Sequence, residues 1–249
     1  MNQDISHLLS RWDYVPGRVA ARRIKGRDGT SHIQMRIDLG LMQMHETGRP
    51  DGKRPLGHES YFEFYNAQAT KRETENETLH LTTEDCFKLQ QELIQFHHRS
   101  ICLFELTEFD NAIRDANRNL SVIRFVEAHV DSPDLAWSVQ QFQPQILMML
   151  ARARGTVLLN KNDFETSQNV IAEVVGQLRA FYETHSRPDL IESSGEITSL
   201  QSWSEAIHNC RPRSELERLE TDLADALRRE DYEKAAQVRD ALKKLKPQE

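Results

Sequence analysis

The stretch from Leu216 to Leu245 constrains this chain more than any other. Leu216, Leu219, Leu223, Ala226 and Leu227 recur at steps of three and four. The polar turn Arg228-Arg229-Glu230-Asp231 follows, and then Tyr232, Ala235, Ala236, Val238, Leu242 and Leu245 resume the same spacing. That pattern predicts two short helices, each with one apolar face, and a connection this short folds them into an antiparallel hairpin. Two such helices cannot bury all this leucine between themselves. The uncovered apolar face must meet the rest of the chain or another chain.

Helical spacing also dominates the middle of the sequence. Thr82-Thr83-Glu84-Asp85 opens a helix with an acid three residues after Thr82, carried by Phe87, Leu89, Leu93, Phe96, Leu103 and Phe104 to about Leu106. A second runs from Phe109 through Ile113, Leu120, Ile123 and Val126 and is stopped by Asp131-Ser132-Pro133. Pro144 separates a short helix from a longer one over Ile146 to Leu159. After the turn Asn160 to Asp163, a returning helix carries Phe164, Ile171, Val174, Leu178 and Phe181. The two hairpins share a pattern: Ser100, Leu103, Phe109 and Ala112 in the first match Gly155, Leu158, Phe164 and Ser167 in the second. Small and aromatic residues at those steps resemble tetratricopeptide repeats, although the spacing differs from that family's period and only two copies occur. Glu108-Phe109, Asp163-Phe164 and Asp231-Tyr232 each place an acid and an aromatic at a helix start, where the acid suits the positive helix end.

The amino-terminal part reads differently. A short amphipathic piece with Ile5, Leu8, Leu9 and Trp12 ends at Pro16-Gly17. A strand is expected over Val19 to Ile24, then the turn Gly26-Arg27-Asp28-Gly29. One longer strand follows, in which Ile33, Met35, Ile37, Leu39 and Leu41 alternate with polar neighbours. The loop Glu46 to Gly57 carries Arg49, Lys53 and Arg54 among its glycines and prolines. It suggests an anion site, should Gly57 lead into a helix over Glu59 to Lys71. Tyr61, Phe62, Phe64 and Tyr65 at its start are read as core. From His185 to Arg213, Ser, Pro and Gly suggest a linker around one short helix with Leu200, Trp203 and Ile207. The expected fold is α+β, mostly α. It has a β-hairpin region over 1–78, a body of helical hairpins over 79–184, the linker over 185–213 and the terminal hairpin over 214–246.

The string Glu230-Asp231-Tyr232-Glu233-Lys234-Ala235-Ala236-Gln237-Val238-Arg239-Asp240, with its flanking leucines, resembles the UVR motif of the excision-repair proteins UvrB and UvrC, of Clp-type ATPases and of the McsA-like partners of those ATPases. The amino-terminal part is also similar in style to that of bacterial UVR-motif proteins, which implies no activity. The resemblance implies a helical hairpin that pairs with a second copy of itself, in the same or another protein, in the manner of a short coiled coil. Leu219, Leu223, Leu227, Tyr232, Ala235, Val238 and Leu242 would then form the contact. The CxxC pairs of McsA-like members are absent from this sequence.

Composition narrows the function classes. No apolar run reaches membrane length, no amino-terminal leader pattern is seen, and Cys86, Cys102 and Cys210 have no CxxC spacing; a reducing cytoplasm is expected. Net charge is −7, but residues 1–60 hold ten Lys/Arg against seven Asp/Glu, a balance of +3 that leaves −10 for the rest. That asymmetry leaves nucleic-acid contact through Arg22, Arg36, Arg49, Lys53 and Arg54 as an alternative, as for a DNA-repair accessory protein. A metal site would have to draw on His97, His98 and Cys102 with Cys86 or His80, and lacks the spacing of known zinc motifs. No nucleophile sits in a GxSxG or comparable context. The expectation is a non-enzymatic scaffold or adaptor without cofactor, metal or small-molecule substrate. Its partner would be another copy or a protein bearing a UVR-like hairpin. A Clp-type protease adaptor is the remaining alternative.

Overall fold

The computed structural model describes residues 4–212 and 215–245. It divides into two compact units, 1–204 and 205–249, with the boundary inside a helix. Among the described residues are one three-stranded sheet and eleven α-helices, so the chain is mostly α with an amino-terminal sheet.

The chain starts with the single turn α1 (Ser6–Leu9), then β1 (Ala21–Lys25), β2 (Ser31–Ile37) and β3 (Gly40–His45), an antiparallel meander in the order β1-β2-β3. The turn at Gly26 closes as its sequence suggests, with Gly26 N–H donating to Thr30 O at 2.8 Å. The single strand expected through Leu41 is instead two strands. Ile37 pairs with Gly40, and Leu39 stands at the tip, 90% exposed. Alternation alone does not show where a strand folds back, because the apolar positions keep their period across the turn. Arg36 supplies the reason for the break. Its buried guanidinium donates to the carbonyls of Ile37, Asp38 and Gly40, satisfying acceptors that a turn leaves open. Its Nε reaches Trp12 O at 2.9 Å, which ties the amino-terminal segment to the sheet.

Both sheet faces are used. Ile33 and Met44 are buried in one cluster with Cys102, Leu103, Ala112 and Ala153 of the helices. On the other face Arg22 donates to Gln34, which donates to Gln43, both at 2.9 Å, and Trp12 lies against the Arg22 guanidinium at 4.1 Å. After the loop and a 3-10 turn (Pro55–Gly57), Ser60 caps α2 (Tyr61–Thr74) by accepting from Glu63 N–H.

The body is a succession of antiparallel helices: α3 (Thr83–Glu105), α4 (Phe109–His129), the short α5 (Pro133–Gln140), α6 (Gln143–Leu159) and α7 (Phe164–Thr184). Thr82 and Asp85 form the capping box expected at the start of α3. Pro133 and Pro144 sit in the first turns of α5 and α6, where a missing N–H costs nothing. Leu89, Leu93, Val122, Val126, Ile146 and Leu150 build the main core, with Tyr65 of α2 and Val139 of α5 closing it.

The expected linker is largely helix. It holds α8 (Asp189–Ser193) and α9 (Gly195–Cys210). Its serines and glycine act as a helix start rather than as a flexible run: Ser194 Oγ accepts from Ile197 N–H at 3.2 Å and Gly195 begins α9. Within the first unit α9 belongs to the body. Ile197 and Leu200 are buried, Arg152 donates to Ser199 Oγ at 2.6 Å, and Trp203 packs on α6 beside Gly155.

Two helix glycines should respond oppositely to alanine. A Cβ at Gly155 would lie 2.6 Å from Cη2 of Trp203, so Gly155→Ala displaces a packed indole and should destabilise by about 1–3 kcal/mol. A Cβ at Gly176, inside α7, meets nothing within 4 Å, and Gly176→Ala should stabilise by about 0.5–1 kcal/mol. Urea midpoints measure both; equal signs would contradict this packing. For the buried pair of Arg99 and Asp115, both 1% exposed and 2.6 Å apart, Arg99→Met leaves Asp115 with only the exposed Arg114 and should cost about 3–5 kcal/mol. A loss under about 1 kcal/mol would show that water reaches the site.

Candidate protein-interaction site

The carboxy-terminal unit holds the hairpin read from the sequence: α10 (Glu215–Arg228) and α11 (Tyr232–Leu245), packed on one another. Asp231 Oδ1 accepts from Lys234 N–H at 3.1 Å and caps α11. Asp231 N–H reaches back to Ala226 O at 2.9 Å and Glu230 N–H to Leu227 O at 3.1 Å, with Glu230 left-handed at φ 57°. This is a Schellman closure, which satisfies carbonyls at the end of α10.

The expected contact residues separate into two sets. Ala235, Val238 and Leu242 are buried, together with Ala226, which is not among the expected contact residues. The signal for Ala226 is its place three residues after Leu223 in the apolar series of α10. Leu219 and Leu223 are half-buried. Leu227 is 53% exposed and Tyr232 is 70% exposed, one on each side of the turn. The side chains of Leu216 and Leu245 lie outside the described residues, as do residues 213, 214 and 246.

The same closure ends α2, α3, α6 and α7, and after α3 and α6 it leads, as here, straight into an acid and an aromatic. Glu108 N–H donates to Leu103 O at 2.8 Å and Asp163 N–H to Leu158 O at 3.0 Å, with Thr107 and Asn162 left-handed at φ 62° and 60°. Asp163 caps α7 as Asp231 caps α11. The small pairs share a bond with donor and acceptor exchanged between helices: Ser100 Oγ donates to Ala112 O in one hairpin, and Ser167 Oγ to Gly155 O in the other. The aromatic that opens the second helix is half-buried in both, as Phe109 and Phe164, and Phe109 packs edge-on to Phe104 at 5.3 Å. In the terminal hairpin the corresponding Tyr232 is bare.

The basic residues of the amino-terminal part do not converge on one surface. Arg36 is committed to carbonyls. Arg49 is buried between Asp51, at 3.1 Å, and Glu92, at 3.5 Å, with its guanidinium over Tyr61. Arg22 is held by Gln34 and Trp12, and Arg54 pairs with Glu59. Lys53 is exposed. The start of α2, expected as an anion site, already holds an anion from the protein itself: Glu92 of α3 accepts from Tyr61 N–H at 2.8 Å and Phe62 N–H at 3.2 Å.

Among the described residues, no group of three His, Cys, Asp or Glu side chains is placed to hold a metal ion. Cys102 is fully buried, which with Glu105 nearby pushes its thiol up to about 12, while Cys86 is also raised by burial. Burial, with His98 adding repulsion, pulls the His97 ring down to about 4. His80 instead pairs with Asp131 at 3.0 Å. No described helix is long and apolar enough to cross a membrane.

Comparison with known proteins agrees with the hairpin. Residues 213–248 match the family model of the UvrB/uvrC motif. No curated protein and no solved structure matches the chain.

The depressed His97 ring has a consequence for acid stability. Its ordinary value is 6.5, so between pH 6.5 and about 4 the unfolded chain binds a proton that the folded chain refuses. Stability from this group is complete above pH 6.5 and is lost as pH falls towards 4. His97→Gln should therefore show a smaller drop in urea midpoint from pH 7 to pH 5 than the parent. Parallel drops would remove His97 from the acid response.

Proposed function

We propose that this chain is a non-enzymatic scaffold or adaptor. Its terminal hairpin docks on a second UVR-type hairpin, on another copy or on a UVR-bearing protein of the UvrB or UvrC type. The observation that carries this reading is the bare aromatic. The turn that leads into an acid and an aromatic is built three times; its aromatic is half-buried in the body, while Tyr232 is 70% exposed, with Leu227 exposed on the other side of the turn. An exposed tyrosine and leucine, on a frame held by buried Ala226, Ala235 and Val238, have the composition of an interface anchor. The match of residues 213–248 to the UvrB/uvrC motif supports a protein partner over a small ligand. Nucleic-acid contact has less support, because Arg36 and Arg49 are buried and Arg54 is paired with Glu59.

The full chain and a version ending at Cys210, where α9 stops, should differ in light-scattering mass by more than the missing residues, or else only the full chain should capture purified UvrB or UvrC. Tyr232→Ala should weaken that association by about ten- to thirty-fold, as loss of an anchor does. Leu227→Glu should abolish it. Unchanged assembly together with no capture would overturn the proposal.

A further inference from the structure

The polar face of the sheet carries a pair of imidazoles that the hairpin reading does not use. His32 of β2 and His45 of β3 stand opposite one another in the register of the two strands. His45 turns its N–H away from β2, to Pro50 O at 2.8 Å, and its carbonyl accepts from Arg99 Nη1 at 3.0 Å, while Glu46 N–H returns to Ser31 O. The two histidines are therefore a non-hydrogen-bonded pair, the position at which facing side chains of an antiparallel ladder come closest. Their ring centroids lie 4.5 Å apart, with the planes tilted by 53°.

Both rings are held in place, yet both keep nitrogens without a partner. His32 is 8% exposed, and its Nδ1 lies 3.2 Å from Thr30 O. A carbonyl oxygen only accepts, so Nδ1 carries the proton and Nε2 presents a lone pair. Neither nitrogen of His45 has a hydrogen bond to any described residue. The free nitrogens of both rings are not sealed from solvent. Gly52, left-handed at φ 71°, lays its backbone on the His45 ring where a Cβ would not fit.

An imidazole whose second N–H rests on a backbone carbonyl has the setting of a metal-binding histidine. Bonds of about 2.0–2.1 Å from nitrogen to metal put the centroids of two coordinated imidazoles about 4.5 Å apart for a right angle at the ion, and about 5 Å apart for a tetrahedral one. The spacing found between His32 and His45 matches the first. Charge favours a cation as well: Asp28 adds its negative field beside His32, and Arg99, which meets the His45 carbonyl, is neutralised by Asp115. The Asp28 carboxylate is itself held by Thr30, and Glu46 by Arg23, so the site offers two side-chain donors.

We propose that His32 and His45 chelate one divalent ion of the zinc and copper class, with water completing its coordination. The ion would join the end of β3, and the loop that covers it, to β2. With two protein ligands it is an exchangeable ion rather than a closed structural centre.

Isothermal titration of the full chain carrying Cys210→Ser, which removes the exposed thiol, with zinc chloride and with copper(II) chloride in a non-chelating buffer tests this. One equivalent should bind, copper more tightly than zinc. His45→Asn should weaken zinc by about a hundred-fold, the gain that two ligands on one frame have over one. His45 is the more exposed of the pair, and a urea midpoint in EDTA equal to the parent's shows that this variant folds. With one equivalent of copper, the electron paramagnetic resonance spectrum of the parent should show two coupled nitrogens. A parent spectrum with a single nitrogen, or no saturable binding, would overturn the proposal. So would binding indifferent to His45→Asn, which would assign the ion to exposed histidines such as His7, His80 or His208.

Discussion

A carboxylate with no access to solvent, Glu92, sets the terms for the amino-terminal half of this structure. Removing such a charge from water costs several kcal/mol unless its oxygens are filled by well-placed donors. Its donors are the first two amides of α2 and Arg118 of α4, and the charge of Arg49 from the loop lies 3.5 Å away without donating a hydrogen bond. Satisfying one group therefore fixes the start of α2, the course of the loop, and the setting of α4 against α3. Burial pulls the Arg118 guanidinium below its ordinary value while Glu92 opposes the shift. Two turns along α3, Arg99 repeats the arrangement. It pairs with Asp115 and donates its remaining N–H groups to His45 O and Gly48 O, at 3.0 and 2.6 Å, which ties the end of β3 to the helices.

That network explains why a basic, glycine-rich loop is not an open anion cradle here. The positive helix end and the arginine are both present, as the sequence suggests, but the anion they meet is internal. Partners separated by tens of residues cannot be read from local spacing. A trace of them was nevertheless visible. Glu92 and Arg99 interrupt the apolar stripe of Leu89, Leu93, Phe96 and Leu103, and Asp115 and Arg118 interrupt the facing helix one turn apart. Charges of opposite sign at matching heights on two apolar stripes signal a buried pair.

Elsewhere legibility followed how local the deciding interaction was. The helices of the body begin and end where their caps, prolines and turns stand in the sequence, because those devices act within a few residues. The fold-back after Ile37 does not show in the alternation because Arg36 makes it, through carbonyls beyond the strand. The segment 185–213 departs from its expectation for the converse reason. Ser194 and Gly195 have loop composition, yet they start a helix that Ile197 and Leu200 then bury. Of the expected contact residues, Ala235, Val238 and Leu242 are buried, whereas Leu227 and Tyr232 are exposed. Periodicity identifies which face is apolar and does not say which part of that face a neighbouring helix already covers.

The turn that leads into an acid and an aromatic recurs three times, and this bears on what the terminal hairpin is for. Its backbone is not free: in each copy a non-glycine residue accepts a left-handed conformation, including β-branched Thr107 and the long side chain of Glu230, at some cost in energy. In the body that cost is offset by what the turn presents. The first hairpin packs under Ile33 and Met44 of the sheet, and the second receives Trp203 beside its glycine. In the third copy the small pair Ala226 and Ala235 is buried, yet the aromatic and Leu227 are left to water. A frame so constrained, with its largest apolar side chains at the uncovered end, has its geometry settled before any partner arrives. Rigid display of that kind lowers the entropy lost on association, which favours a docking element over a tail that folds only when bound.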